Sequence, residues 1–119
     1  MSLRIVFDEH LKMYKAKTGE GLHSLEGFLS SDMQTSLAAI KLVLGAIKDI
    51  EEGKISEWEL SGNAYYLNLD KSMATISDQL LEDEDICKED KKTLPPPDKI
   101  TIARLKEALI QWRDSVHPA

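Results

Sequence analysis

Residues 55–79, ISEWELSGNAYYLNLDKSMATISDQ, decide the fold, because apolar side chains recur there at every second position. Successive side chains of an extended chain point to opposite faces, so a period of two marks a strand with one covered face. The runs EWEL, AYYLNLD and MATIS are separated by Ser61-Gly62-Asn63 and by Lys71-Ser72, residue types that favour tight turns. A three-stranded antiparallel meander is the expectation. With Trp58, Leu60, Tyr65, Leu67 and Leu69 directed inward, Glu57, Glu59, Tyr66, Asn68 and Asp70 share the exposed side.

On the amino-terminal side the period changes. Met33, Leu37, Ile40, Leu44 and Ile47 recur at steps of four and three, flanked by Val43 and Ile50, which gives a helix with one broad apolar stripe. Ser30 or Ser31 is the expected cap, Asp32 adds favourable negative charge, and Gly53 ends the helix. Before it, Leu3, Ile5 and Phe7 lie on one side of an extended run that turns through Asp8 to His10 into LKMYKAK, a hairpin. The second strand offers two faces, Leu11 with Met13 or Tyr14 with Ala16, and a one-residue slip exchanges them. Gly19 and Gly21 then break the chain.

On the carboxy-terminal side, EDEDICKEDKK (82–92) carries too much like charge and too little apolar content to fold locally, so a mobile acidic loop is expected at about 82–97. Its end is stiffened by Leu94-Pro95-Pro96-Pro97. Ile102, Leu105, Leu109, Trp112 and Val116 then define a second amphipathic helix starting between Asp98 and Thr101. The expectation is an α+β domain spanning 1–119. An antiparallel sheet of about five strands, in the order β-β-α-β-β-β-α, packs both helices on one face and leaves the other to water.

With 119 residues, 42% apolar and 30% charged, the chain suits a single core without staples. One cysteine, Cys87, allows no internal disulfide and points to a reducing compartment, here the cytoplasm. The start, MSLRIVFDEHLK, lacks the pattern of a secretory signal, and no run approaches membrane-spanning length. Net charge is −6, unevenly laid out: residues 1–48 carry +1, residues 49–90 carry −10 and residues 91–119 carry +3. An anionic middle third repels phosphate backbones, which disfavours nucleic acid and anionic membranes and favours a cationic partner.

Catalytic patterns are missing. His10, His23 and His117 are far apart and show no metal-ligand spacing, there is no GxSxG elbow, and Cys87 lies among carboxylates that oppose thiolate formation. Thr18-Gly19-Glu20-Gly21 lacks phosphate-loop spacing and reads as a turn. No cofactor or metal is expected, and the protein reads as a non-enzyme. A small enzyme using His23 with a carboxylate ranks last.

The Gly19-x-Gly21 turn, the helix from about Met33, the stretch WELSGNAYYLNLD and the ending QWRDSV together resemble the YacL-type family of small uncharacterised bacterial proteins, across nearly the whole chain. That resemblance implies the fold and carries over no functional residues. In its small, acidic, cytoplasmic profile the chain is also similar to contact-dependent growth inhibition immunity proteins, which block an incoming toxin domain. This second similarity implies a basic protein toxin domain, a nuclease, as partner, with the chain covering its active-site surface as a mimic of nucleic acid. The expected binding residues are Glu57, Glu59, Asp70 and Asp78 from strands, Tyr66 as an anchor, and Glu82, Asp83, Glu84, Asp85, Glu89 and Asp90 as a flexible anionic arm. The rival expectation is a housekeeping adaptor or regulator without a toxin partner. Either could dimerise through an uncovered sheet edge.

Overall fold

The computed structural model describes residues 3–19, 21–62, 64–79 and 97–117. It begins with an antiparallel hairpin of β1 (Arg4–Asp8) and β2 (Met13–Lys17), paired Arg4 to Lys17 through Asp8 to Met13. Ala16 is buried and Tyr14 packs against the core, whereas Leu11 is 55% exposed, so the Tyr14/Ala16 face is the inner one. Gly19 and Gly21 adopt positive φ, and the chain enters α1 (His23–Gly27), which runs directly into a π-helical turn over Phe28–Met33. That turn closes on the wide i to i+5 bond from Gln34 N–H to the Leu29 carbonyl, 2.9 Å.

Helix α2 (Leu37–Glu51) therefore starts later than expected. Its cap is Ser36, whose hydroxyl accepts from Ala39 N–H, and not Ser30 or Ser31, which lie within the π turn. Met33 contributes its buried side chain from that turn. The far end matches the expectation: Gly53, at φ +77°, follows the last turn.

The period-two stretch forms β3 (Trp58–Ser61), β4 (Tyr65–Leu69) and β5 (Met73–Asp78), joined antiparallel as a meander. A further strand, β6 (Asp98–Thr101), pairs with β5 and leads into α3 (Ile102–Val116), capped by the Thr101 hydroxyl. Among the described residues the expected single sheet of about five strands is thus corrected to two sheets, a hairpin β1-β2 and a four-stranded sheet β3-β4-β5-β6. The fold remains α+β.

The hairpin stands apart because the far edge of β2 is already occupied. The N–H groups of Thr18, Ala16 and Tyr14 donate to Glu26 Oε2 (2.8 Å), Ser30 Oγ (3.0 Å) and Gln34 Oε1 (3.3 Å). Acceptors four residues apart on the helical segment meet donors two apart on the strand, running the opposite way. An α-helix turns about 40° past a full circle every four residues, and the wider π turn falls short of one, so their succession keeps the three side chains in line. Gln34 completes the closure. Its amide Nε2 donates back to the Tyr14 carbonyl (2.8 Å), and its own carbonyl accepts from Trp112 Nε1 (2.7 Å). These bonds hold Gln34 at φ +38°, a conformation that costs a non-glycine residue about 1–3 kcal/mol.

Pairing in the larger sheet sorts its side chains. Trp58, Leu60, Leu67, Leu69, Ala74, Ile76 and Ile100 face the helices; Glu59, Tyr66, Asn68, Thr75, Ser77 and Lys99 lie on the other face. One hydrophobic cluster links that inner face with Leu25, Phe28, Leu29 and Met33 and with the stripes of α2 and α3. Trp112, Leu105 and Leu109 of α3 are fully buried, as are Ile40 and Ile47 of α2. Each such side chain contributes about 1.5–3 kcal/mol of burial. The acidic segment expected to be a mobile loop at about 82–97 lies, apart from Pro97, outside the described residues.

Candidate functional site

The outer face of the larger sheet carries a polar row across all four strands: Glu59 opposite Asn68, Asn68 opposite Thr75, Thr75 opposite Lys99. Three strand spacings place its acidic and basic ends about 14 Å apart. The adjoining row holds Ser61, Tyr66 and Ser77. The face is polarised, acidic at the β3 edge and basic at the β6 edge.

At the acidic end, Glu57, Trp58, Glu59 and Asn68 line a depression of about 300 Å³. Glu57 and Glu59 are both exposed. The Tyr66 hydroxyl donates to Glu59 Oε2 across the β3–β4 pair, which orients the carboxylate and holds the ring of this half-buried tyrosine beside it. The structure thus brings Glu57, Glu59 and Tyr66 together, and it adds Asn68.

Asp70 has a different task. At the β4–β5 turn its Oδ1 accepts from Ser72 N–H (2.9 Å) and Met73 N–H (2.7 Å), and these bonds, helped by nearby Lys99, hold its carboxyl below the usual carboxylate range. Asp78 is on the opposite side. It pairs with Tyr65 on the helix-facing side of the sheet, so it does not join Glu59 and Tyr66. Parity within MATISD carried that signal, since Asp78 alternates in phase with Ala74 and Ile76. Glu82, Asp83, Glu84, Asp85, Glu89 and Asp90 lie outside the described residues.

Around Asp78 the acids serve the scaffold. Asp32 of the π turn accepts from the N–H groups of Ala64 and Tyr65, 3.0 Å each, and fastens the β3–β4 turn. Asp98, nearly buried, accepts from Leu25 N–H (2.8 Å), a first-turn donor of α1 that lacks a helical partner. Burial pushes the Tyr65 phenol above its ordinary value, and the carboxylates of Asp78, Asp32 and Asp98 add to the shift. Other acids pair with bases: Glu51 with Lys106 (3.1 Å), Glu52 with Lys54 (3.2 Å).

The histidines do not converge. His10 is in the hairpin turn, His23 opens α1 with Nδ1 3.5 Å from Glu26, and His117 lies against the Thr35 carbonyl. Among the described residues no cluster of three His, Cys, Asp or Glu side chains suits a metal ion, and no helix is long and apolar enough to cross a membrane.

Comparison with known proteins gives two matches. The family model described as "Uncharacterised protein family (UPF0231)" matches residues 1–99. A "UPF0231 protein" of Shewanella oneidensis (strain MR-1) is 32% identical over 89 residues, covering 71% of this chain and 72% of that one. No solved structure matches.

Proposed function

Because this chain belongs to the UPF0231 family, to which its YacL-type resemblance pointed, we propose a function from its surface: a non-enzymatic binding protein that docks a cationic protein on the acidic β3 edge. The observation that carries this reading is the grouping of Glu57, Glu59 and Asn68 around one depression on a strand edge, with Tyr66 bonded to Glu59 beside it and, among the described residues, no lysine or arginine lining it. Carboxylates fixed on strands lose little freedom on docking, and their field speeds encounter with a positive surface. In its narrower form the partner is a basic toxin domain, a nuclease whose groove is cationic because it holds phosphates, and the chain is a contact-dependent growth inhibition immunity protein. The anionic segment 82–90 supplies further negative charge next in sequence to the sheet.

A second reading, a housekeeping adaptor, draws support from the family match, which spans residues 1–99 and so takes in the acidic edge and β3 to β5 as part of a shared fold. Both readings use the same surface and differ in the partner. An immunity protein is encoded directly beside a large toxin gene and protects cells that express that toxin; an adaptor does neither. With the toxin in hand, the Glu57→Lys/Glu59→Lys variant is expected to associate at least about tenfold more slowly at low salt, with a flatter salt dependence. Association rates and salt slopes equal to the parent chain would remove this face from the reading.

A further inference from the structure

The two edges of the hairpin are treated in opposite ways. On β2, the N–H groups of Tyr14, Ala16 and Thr18 point at the helical segment and are met by Gln34, Ser30 and Glu26. Backbone groups of an antiparallel strand alternate in direction, so those of Met13, Lys15 and Lys17 point at β1. Their partners Asp8, Val6 and Arg4 therefore spend their backbone groups inside the hairpin. Ile5 and Phe7 are left with N–H and C=O directed outward along β1. Among the described residues no strand other than β2 pairs with β1. The centre of that open edge is apolar, with Val6 39% and Phe7 50% exposed, and only its ends are charged. Natural edges are commonly blunted by inward charge, proline or a bulge, and this one is not.

We propose that the open edge of β1 pairs with the same edge of a second copy, forming a two-fold dimer with a continuous β2-β1-β1-β2 sheet. Self-complementarity selects the occupant. When Val6 lies opposite Val6 of the second copy, Arg4 falls opposite Asp8 and Ile5 opposite Phe7, so each strand end meets its opposite charge. That register also sets outward groups against outward groups, giving hydrogen-bonded pairs between Ile5 and Phe7 on both sides of the axis. Directly opposed side chains sit about 5 Å apart, close enough for Val6 to touch its counterpart. A five-residue strand buries less than a standard interface, which places the dimer among weak ones.

Sedimentation of the full chain over about 1 µM to 1 mM tests this, with amide exchange read residue by residue. The expected result is reversible dimerisation, with the Ile5 and Phe7 amides gaining protection as concentration rises while the Val6 amide, bonded within the hairpin, is protected throughout. Val6→Glu places a carboxylate opposite Lys15 within each hairpin but sets two carboxylates face to face across the axis. Its dissociation constant should rise at least about tenfold with circular dichroism unchanged. Arg4→Glu, which opposes Asp8 of the second copy, should weaken the dimer in the same direction and stands in if the first variant misfolds. A chain that stays monomeric, with Ile5 and Phe7 exchanging freely at every concentration, overturns the proposal. So does a dimer that folded variants at Val6 and Arg4 leave intact.

Discussion

Replacing Ser30 by alanine probes the bond that sits at the centre of the β2 closure. Ser30 Oγ lies 3.0 Å from the Ala16 nitrogen, and Ala16 is 3% exposed, so water has little access to the donor once the hydroxyl is gone. An unpaired buried N–H costs about 1–3 kcal/mol. Alanine's better helix propensity returns at most about 0.5 kcal/mol of that. Unfolding entropy for a chain of this length is about 0.25 kcal/mol/K, so each kcal/mol lowers Tm by about 4 °C and the variant should melt about 2–10 °C below the parent. Ser31→Ala is the control, since Ser31 is exposed in the same turn and carries the same propensity change without the bond. Urea unfolding gives the stability difference, and amide exchange locates it: Ala16 should lose protection first, with Tyr14 and Thr18 retaining Gln34 and Glu26. If Ser30→Ala melts within about 1 °C of Ser31→Ala and Ala16 keeps its protection, side chains do not close this edge.

At Gly27 a Cβ would overlap the Tyr65 hydroxyl and ring and lie 2.8 Å from Cε2, so Gly27→Ala should cost at least about 1–3 kcal/mol in urea unfolding. Tyr65→Phe should not rescue it, because the ring remains in the way, whereas Tyr65→Leu should; rescue by phenylalanine alone would contradict the packing. Asp70, held below its ordinary value of 3.8, binds protons less readily folded than unfolded, so its contribution is full above that value and fades as pH falls through the folded pKa. Asp70→Asn should flatten the acid limb of stability below about pH 4, and a variant whose stability falls with pH as steeply as the parent's would show that the turn does not use the charge.

Periodicity made much of this fold legible. The alternation in 55–79 and the stripes of α2 and α3 follow directly from one covered face, and the residues expected inward, Leu37 apart, belong to the hydrophobic cluster. What could not be read was polar. Glu26, Ser30 and Gln34 close β2 through side chains whose spacing of four is that of any solvated helix face, so nothing announced that the hairpin would form its own sheet. The π turn displaced the α2 cap to Ser36 because the start of a helix depends on what precedes it in space. Strand β6 has four residues, too few for a period of two to stand out beside the proline run. At the candidate site, alternation along β3 and β4 sufficed for Glu59 and Tyr66, while the in-phase position of Asp78 with Ala74 and Ile76 separated it from them.

The three-rung contact between β2 and the helical segment acts like a rack against a gear, two residues of strand advancing for every four of helix. The two spacings nearly agree, about 6.7 Å along the strand and about 6 Å along an α-helix. An insertion or deletion of one residue within 14–18 or within 26–34 would throw at least one rung out of mesh, whereas the turn at 9–12 outside the rack is free to change length. Within these two segments the chain is held to a fixed count, although nothing in its composition says so.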